Sequence, residues 1–346
     1  MTTENPSIIA TASGGLGRIE LNRPKLINAL SLDMVAGIDD ALRSWYDDDT
    51  VTTVLVTGRG ERGLCAGGDI KAVYTDIVEG TGENAKFWNR EYRMNAAIAE
   101  YPKPYVVIMN GITMGGGVGI SGHGSERIVT DSTKVGMPET GIGLFPDVGG
   151  TYLLARAPGE LGTHLALTGT AVGPGAALAL DLADHYVPEA DLPALIADLE
   201  AGEDVDTVVS RYAADAPADD LAEAAAWIDE CYTGDDIEDI LARLEAHANP
   251  EANAAAALIR TKAPTSVKVT LAALRRAADM TLAEVLEQDY RIAVEMTRRP
   301  DLREGIRAQV IDKDRSPQWS PASLSEVDDA TVTAILTTEQ TDKVFS

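Results

Sequence analysis

Two carboxylates stand out in the segment Met137-Pro138-Glu139-Thr140-Gly141-Ile142-Gly143-Leu144-Phe145-Pro146-Asp147-Val148-Gly149-Gly150. Glu139 and Asp147 lie in otherwise apolar, Gly- and Pro-punctuated chain, with no basic residue between them. A carboxylate in apolar surroundings has a raised pKa and can serve as acid, base or nucleophile. The plainer reading is that one of the two caps a helix, and Asp147 ahead of Val148-Gly149 is placed to do so. Two glycine-rich turns add a second chemistry. Ala66-Gly67-Gly68-Asp69 and Gly115-Gly116-Gly117 each follow strand-like chain. Lacking side chains, they let the backbone approach a ligand and aim N–H groups at it. One N–H from each could hold a thioester oxygen as negative charge develops on it. Equally, both could be tight turns that only allow close packing.

Other patterns are decoys. Gly117-Val-Gly119-Ile-Ser-Gly122 matches the dinucleotide fingerprint, but it lies deep in the chain rather than in an opening βαβ unit. Gly119-Ile-Ser121-Gly-His123 fails as a nucleophile elbow because position 123 is His, not Gly. His123, His164, His185 and His247 show no metal spacing, so no metal is expected. There is no phosphate-binding loop of the Walker type.

The elements that must carry these residues follow from pattern. Ile8 to Leu21 reads as two strands around Gly14-Gly15. Ser31 is placed to cap an amphipathic helix over Leu32–Trp45. Val51–Gly58, Tyr105–Met109 and Arg127–Val135 read as strands, Asn84–Ala99 as a helix, and Met137–Gly150 as a loop. This rhythm argues for α/β with buried strands. From about Pro158 the chain turns Ala-, Leu- and acid-rich, and Asp191–Ala248 reads as several helices with solvated faces. Pro264-Thr265-Ser266 looks like a helix start, while Asp312–Pro321 holds too much proline for regular structure. A core over residues 1–200 and a predominantly helical region over 201–346 are the expected parts.

The chain has 346 residues and a formal net charge of −26. Such a surface repels phosphate backbones and anionic membranes, so neither nucleic acid nor membrane is an expected partner. Any anionic ligand must find a locally basic or amide-rich spot. Cys65 and Cys231 lie far apart and make no disulfide framework, which suits a reducing compartment. Met1–Ile9 resembles neither a secretory signal nor a transit peptide, and no stretch has the length of a membrane span. A cytoplasmic location is expected.

These segments together resemble the enoyl-CoA hydratase/isomerase (crotonase) superfamily. Leu21-Asn22-Arg23-Pro24-Lys25 with Asn28-Ala29-Leu30 is similar to its N-terminal signature. Leu64-Cys65-Ala66-Gly67-Gly68-Asp69-Ile70 is similar to its first oxyanion loop, and Gly111–Gly119 to its second. Met137–Thr140, Gly143–Gly150, Glu304–Ala308, Ile311–Asp314, Ser316-Pro317 and Trp319 resemble the branch that hydrolyses 3-hydroxyisobutyryl-CoA in valine breakdown. The likeness spans nearly the whole chain and is weakest over 191–256.

The resemblance implies an α/β crotonase fold, a ClpP-like spiral of ββα units with a helical C-terminal region. It implies an acyl-CoA substrate and no cofactor beyond the CoA the substrate carries. Hydratases of the superfamily use two glutamates. The position matching one of them is Gly119, which leaves only Glu139, while Asp147 is the added acid of the hydrolase branch. Gly68 and Gly116 would then supply the oxyanion hole. Glu139 would attack the carbonyl or activate water, and Asp147 would place the water or the 3-hydroxyl. Glu91, by residue type a solvated helix position, matches a residue of the acyl pocket. Lys25, Leu26, Ala66 and Asp69 match the CoA-binding positions. A hydratase or isomerase on another acyl-CoA, and a non-catalytic acyl-CoA binder, are the alternatives. Relatives commonly form homo-oligomers, and the acyl group and the oligomeric state stay open.

Overall fold

A computed structural model describes residues 6–218 and 221–345, so Met1–Asn5 of the leader reading lie outside it. The chain forms two compact units that interleave along the sequence. One comprises Met1–Gly68, Arg93–Val135 and Val172–Asp219; the other comprises Asp69–Tyr92, Gly136–Ala171 and Asp220–Ser346.

The first unit is built on a six-stranded sheet. In order across it, its strands are β1 (Ile8–Ser13), β2 (Leu16–Leu21), β3 (Thr53–Gly58), β4 (Tyr105–Met109), β6 (Glu126–Val129) and β8 (His185–Tyr186). β1 and β2 pair antiparallel across Gly14-Gly15, and every other pairing is parallel. β3 and β4 are buried almost throughout, as strands covered on both faces must be. Leu55, Val106, Ile108 and Ile128 pack with Leu195, Leu199, Val208 and Val209 of the helices Leu192–Glu200 and Val205–Tyr212. The Ser31 hydroxyl accepts the Met34 N–H and starts the helix Leu32–Tyr46. That helix buries Met34, Ile38, Leu42 and Trp45 on one stripe.

Two sequence expectations need correction, and a third segment carried none. Arg127–Val135 is not one strand. Thr133 Oγ1 accepts the Thr130 N–H at 2.7 Å and donates to the Met109 carbonyl at 2.7 Å, closing a turn. The chain then enters a separate two-stranded sheet of β5 (Ile112–Met114) and β7 (Lys134–Gly136). The glycine-rich run after β5 holds a short helix, Gly116–Ser121. A Cβ on its Gly117 would stand 2.5 Å from the Cys65 carbonyl oxygen, so close approach excludes any larger residue. Third, Ile70–Glu79 is a helix that the glycine pattern before it conceals; Asp69 caps it.

The second unit is helical, and its larger members include Pro264–Ala277 and Leu282–Thr297. Pro264 occupies the first turn of the former, where no N–H is needed. Thr281 and Glu284 form a reciprocal capping box at the start of the latter. The expected loop Met137–Gly150 contains a 3-10 turn, Glu139–Ile142. The short helix Pro300–Ile306 packs flush on that turn. A Cβ on Gly305 would enter the Ile142 carbonyl, and one on Gly143 would enter the Asp301 carbonyl. Residues 312–321 form no regular element, as their prolines suggest. They are pinned instead: Gln318 N–H to Glu304 at 2.8 Å, Ser320 N–H to Asp301 at 2.7 Å, and Trp319 Nε1–H to the Thr261 carbonyl at 3.1 Å.

The acidic stretch from residue 191 divides between the units. Its helices Leu221–Cys231 and Ile237–Ala246 belong to the second, and Asp204 and Asp236 spend their charge as helix caps.

Candidate active site

In the first unit, the bridge between Cys65 and Thr113 sets the two glycine turns side by side. Cys65 N–H bonds to the Ile112 carbonyl at 3.1 Å, and Met114 N–H returns to the Cys65 carbonyl at 3.0 Å. Gly67 takes φ +107° and Gly115 φ +50°, backbone that glycine tolerates best. A Cβ on Gly67 would be 3.8 Å from the Gly116 nitrogen. Gly116 is the first residue of its helix, where N–H groups have no carbonyl one turn back. Neither the Gly68 nor the Gly116 N–H makes a backbone hydrogen bond among the described residues. Two such donors on adjacent turns could both point at one ligand oxygen.

Lys25 and Leu26 are exposed on the 3-10 turn Pro24–Leu26. Ala66 lies against the same turn, its N–H bonded to the Ile27 carbonyl at 2.9 Å. Arg62 holds the turn by donating to the carbonyls of Pro24 at 2.8 Å and Lys25 at 2.7 Å. This cluster supplies positive charge in an acidic protein. Ala66 has no N–H left to give a ligand. The Asp69 side chain accepts the Ala72 N–H at 3.4 Å as a helix cap.

Ser121 is spent too: its hydroxyl donates to the Gly117 carbonyl at 2.7 Å inside a buried helix, which disposes of the elbow decoy. Gly119 is buried in the same helix and has no side chain to act as an acid.

In the second unit, Glu91, Glu139 and Asp147 are all buried, at 2%, 7% and 5% exposure. Glu91 is therefore not the solvated helix residue its type suggests. Tyr92, beside it on the helix Glu83–Ala99, donates its phenol O–H to Asp147 Oδ2 at 2.7 Å. Glu139 Oε2 and Glu91 Oε1 are buried without a hydrogen-bond partner among the described residues. Burial pushes the Asp147 carboxyl up to about 6, although the Tyr92 hydroxyl and a backbone N–H pull the other way. Burial raises Glu139 well above the ordinary carboxylate range, and the Asp147 charge adds to it. Glu91 is raised by burial and then by Asp147 and Glu139. The three carboxyls thus form one electrostatic cluster that resists holding several negative charges. Such a cluster can keep one member protonated while another serves as a desolvated base or nucleophile.

Two residues of this cluster were not visible as site residues in the sequence. Tyr92 has no motif around it. Asp289, fully buried on the helix Leu282–Thr297, accepts the Gly149 N–H at 2.8 Å. Its trace was an acid in the apolar stripe Val285, Leu286, Ile292, Ala293 and Met296.

Among the described residues, no three His, Cys, Asp or Glu side chains converge as a metal-binding group, and no helix is long and apolar enough to cross a membrane. Neither Cys65 nor Cys231 is in a disulfide, and both are buried.

A mostly parallel sheet, two donor-bearing glycine turns and a buried carboxylate cluster fit the crotonase class. The family model for enoyl-CoA hydratase/isomerase matches residues 16–336, and the chain belongs to that family. Within it, the chain falls with the 3-hydroxyisobutyryl-CoA hydrolases. It is 38% identical to the mitochondrial 3-hydroxyisobutyryl-CoA hydrolase of Gallus gallus, over 95% of this chain and 88% of that protein. It is 40% identical to that of Rattus norvegicus, over 94% and 88%.

Among solved structures, a carnitinyl-CoA dehydratase from Mycobacterium thermoresistibile is 48% identical with a TM-score of 0.94, covering 98% of each chain. An enoyl-CoA hydratase from Rhodobacter sphaeroides is 42% identical with a TM-score of 0.91, covering 96% of this chain and 97% of that one. The expected α/β crotonase fold with a helical C-terminal region is the fold these structures share with it.

Proposed function

We propose that this chain hydrolyses the thioester of 3-hydroxyisobutyryl-CoA, releasing 3-hydroxyisobutyrate and free CoA. The observation that carries the reading is the buried Glu139–Asp147 pair, combined with glycine at position 119. The names of the curated relatives support it. The Gly68 and Gly116 N–H groups polarise the thioester carbonyl and hold its oxyanion. Glu139 attacks the carbonyl carbon; the CoA thiolate leaves and takes up a proton, and water hydrolyses the mixed anhydride. In the other route Glu139 takes a proton from the attacking water directly. Asp147 holds that water or the substrate 3-hydroxyl, and Glu91 lines the acyl pocket. Lys25 and the backbone at Leu26, Ala66 and Asp69 hold the CoA moiety, with no cofactor besides it. The product fits valine breakdown, and two buried thiols suit a reducing compartment such as the cytoplasm, although the relatives above are named mitochondrial.

The names of the two similar structures favour a second reading, addition of water to an enoyl-CoA. Water addition needs a second acid–base group, and losing one such group typically costs 10²–10⁴-fold. Two assays decide between them. Thiol release from 3-hydroxyisobutyryl-CoA above background is the expected result, and its absence defeats the hydrolase. Loss of enoyl absorbance with crotonyl-CoA would establish the hydratase instead. Oxygen from labelled water retained in Glu139 after one turnover would select the anhydride route.

A further inference from the structure

Asp289 is costly where it stands. It occupies the middle of the buried face of the helix Leu282–Thr297, with no exposure. A buried carboxyl loses hydration that an apolar side chain there would not miss. Its Oδ1 has no hydrogen-bond partner among the described residues. Its Oδ2 accepts the Gly149 N–H at 2.8 Å.

That N–H belongs to an unusual turn. Val148 takes φ +55° and Gly149 φ +75°, two left-handed residues in succession directly after Asp147. For a β-branched residue such as Val148 this conformation is a genuine outlier, and it persists only where the surroundings impose it. The turn closes with Gly150 N–H on the Asp147 carbonyl at 2.6 Å. The Asp147 side chain is held from the other side by the Tyr92 phenol. Asp147 is thus fixed twice: its carboxyl by Tyr92, and the backbone that aims it by Asp289.

We propose that Asp289 is a positioning residue for the hydrolysis, fixing the Val148–Gly149 turn so that Asp147 points at its substrate. This rests on the reading of Asp147 as a catalytic group. Burial holds the Asp289 carboxyl well above the usual range, and the Asp147 charge adds to it, so a neutral acceptor suffices for the task.

The test compares Asp289→Asn, which keeps a carbonyl oxygen for Gly149, with Asp289→Ala, which removes it. Asp289→Leu, close to Asp in shape, replaces the alanine variant if that one does not fold. Thiol-release kinetics and amide hydrogen exchange across Gly149 are read on the full chain. The alanine variant is expected to lose about 10–100-fold in kcat with KM within about 3-fold, and to expose the Gly149 amide. The asparagine variant is expected to stay within about 3-fold of the parent on both measures. In an Asp147→Asn background, Asp289→Ala should cost no more than about 2-fold further, since nothing remains to be aimed. Equal losses in the Asn and Ala variants, full additivity in that background, or unchanged exchange at Gly149 would each overturn the proposal. A parent chain that releases no thiol would instead defeat the proposed reaction, and the exchange pattern would still decide whether Asp289 holds the turn.

Discussion

Glu139 and Asp147 share a dry patch in which one negative charge opposes the next. Two outcomes follow from that coupling. Glu139→Gln should lower kcat by about 10²–10⁴-fold while leaving CoA affinity within a few-fold, checked by thiol release and titration calorimetry. The pH profile should follow Asp147. Its pKa is raised to about 6, so it carries charge above that pH and loses it below. Activity that needs the charge should fall as pH drops through about 6. Tyr92→Phe removes a hydrogen bond to the charged form, so the acid limb of kcat/KM should move to higher pH; a limb that stays in place would show that Asp147 does not set it. Glu139 and Asp147 were legible because acids in a Gly/Pro-punctuated apolar segment break the local pattern. Glu91 was legible only by family likeness, because an acid on a helix ordinarily faces water. Tyr92 and Asp289 were not, since their partners lie 55 and 140 residues away.

Local signals gave the elements that local chemistry specifies. The Ser31 cap and the Pro264 start stand where expected because both act within one helical turn. The break inside Arg127–Val135 was hidden, because Thr133 makes it by reaching both Thr130 and the distant Met109 carbonyl. The turn that carries Glu139 depends on flush packing from far along the chain, at Gly143 and Gly305. Gly305→Ala would drive a methyl into the Ile142 carbonyl. It should cost about 1–3 kcal/mol of stability and also lower kcat, because the displaced turn carries Glu139. Gly234→Ala is the control. Nothing lies within 4 Å of its Cβ and its φ is +88°, so it should cost stability through backbone strain and leave kcat unchanged. Thermal unfolding and thiol release, measured on both variants, separate the two effects.

The whole molecule carries a formal charge of −26 and also buries Glu91, Glu139, Asp147 and Asp289. All four have raised pKa values, so the folded chain binds more protons than the unfolded one. Their contribution to stability is therefore present at low pH and lost as pH rises through the folded values, about 6 for Asp147. The thermal midpoint should rise when pH is lowered from about 8 to about 6, before ordinary carboxylates titrate near 4. Glu139→Gln should raise the midpoint at pH 8; a fall there would contradict a charge penalty at that site. The Asp289–Gly149 hydrogen bond has one more consequence, in time rather than space. It spans 140 residues. At ribosomal speeds of about 5–20 residues per second, Asp289 is added about 7–28 s after Gly149. Until then the Val148–Gly149 turn lacks that hydrogen bond. A message cut short before that codon yields a chain without the acceptor that fixes the turn after Asp147.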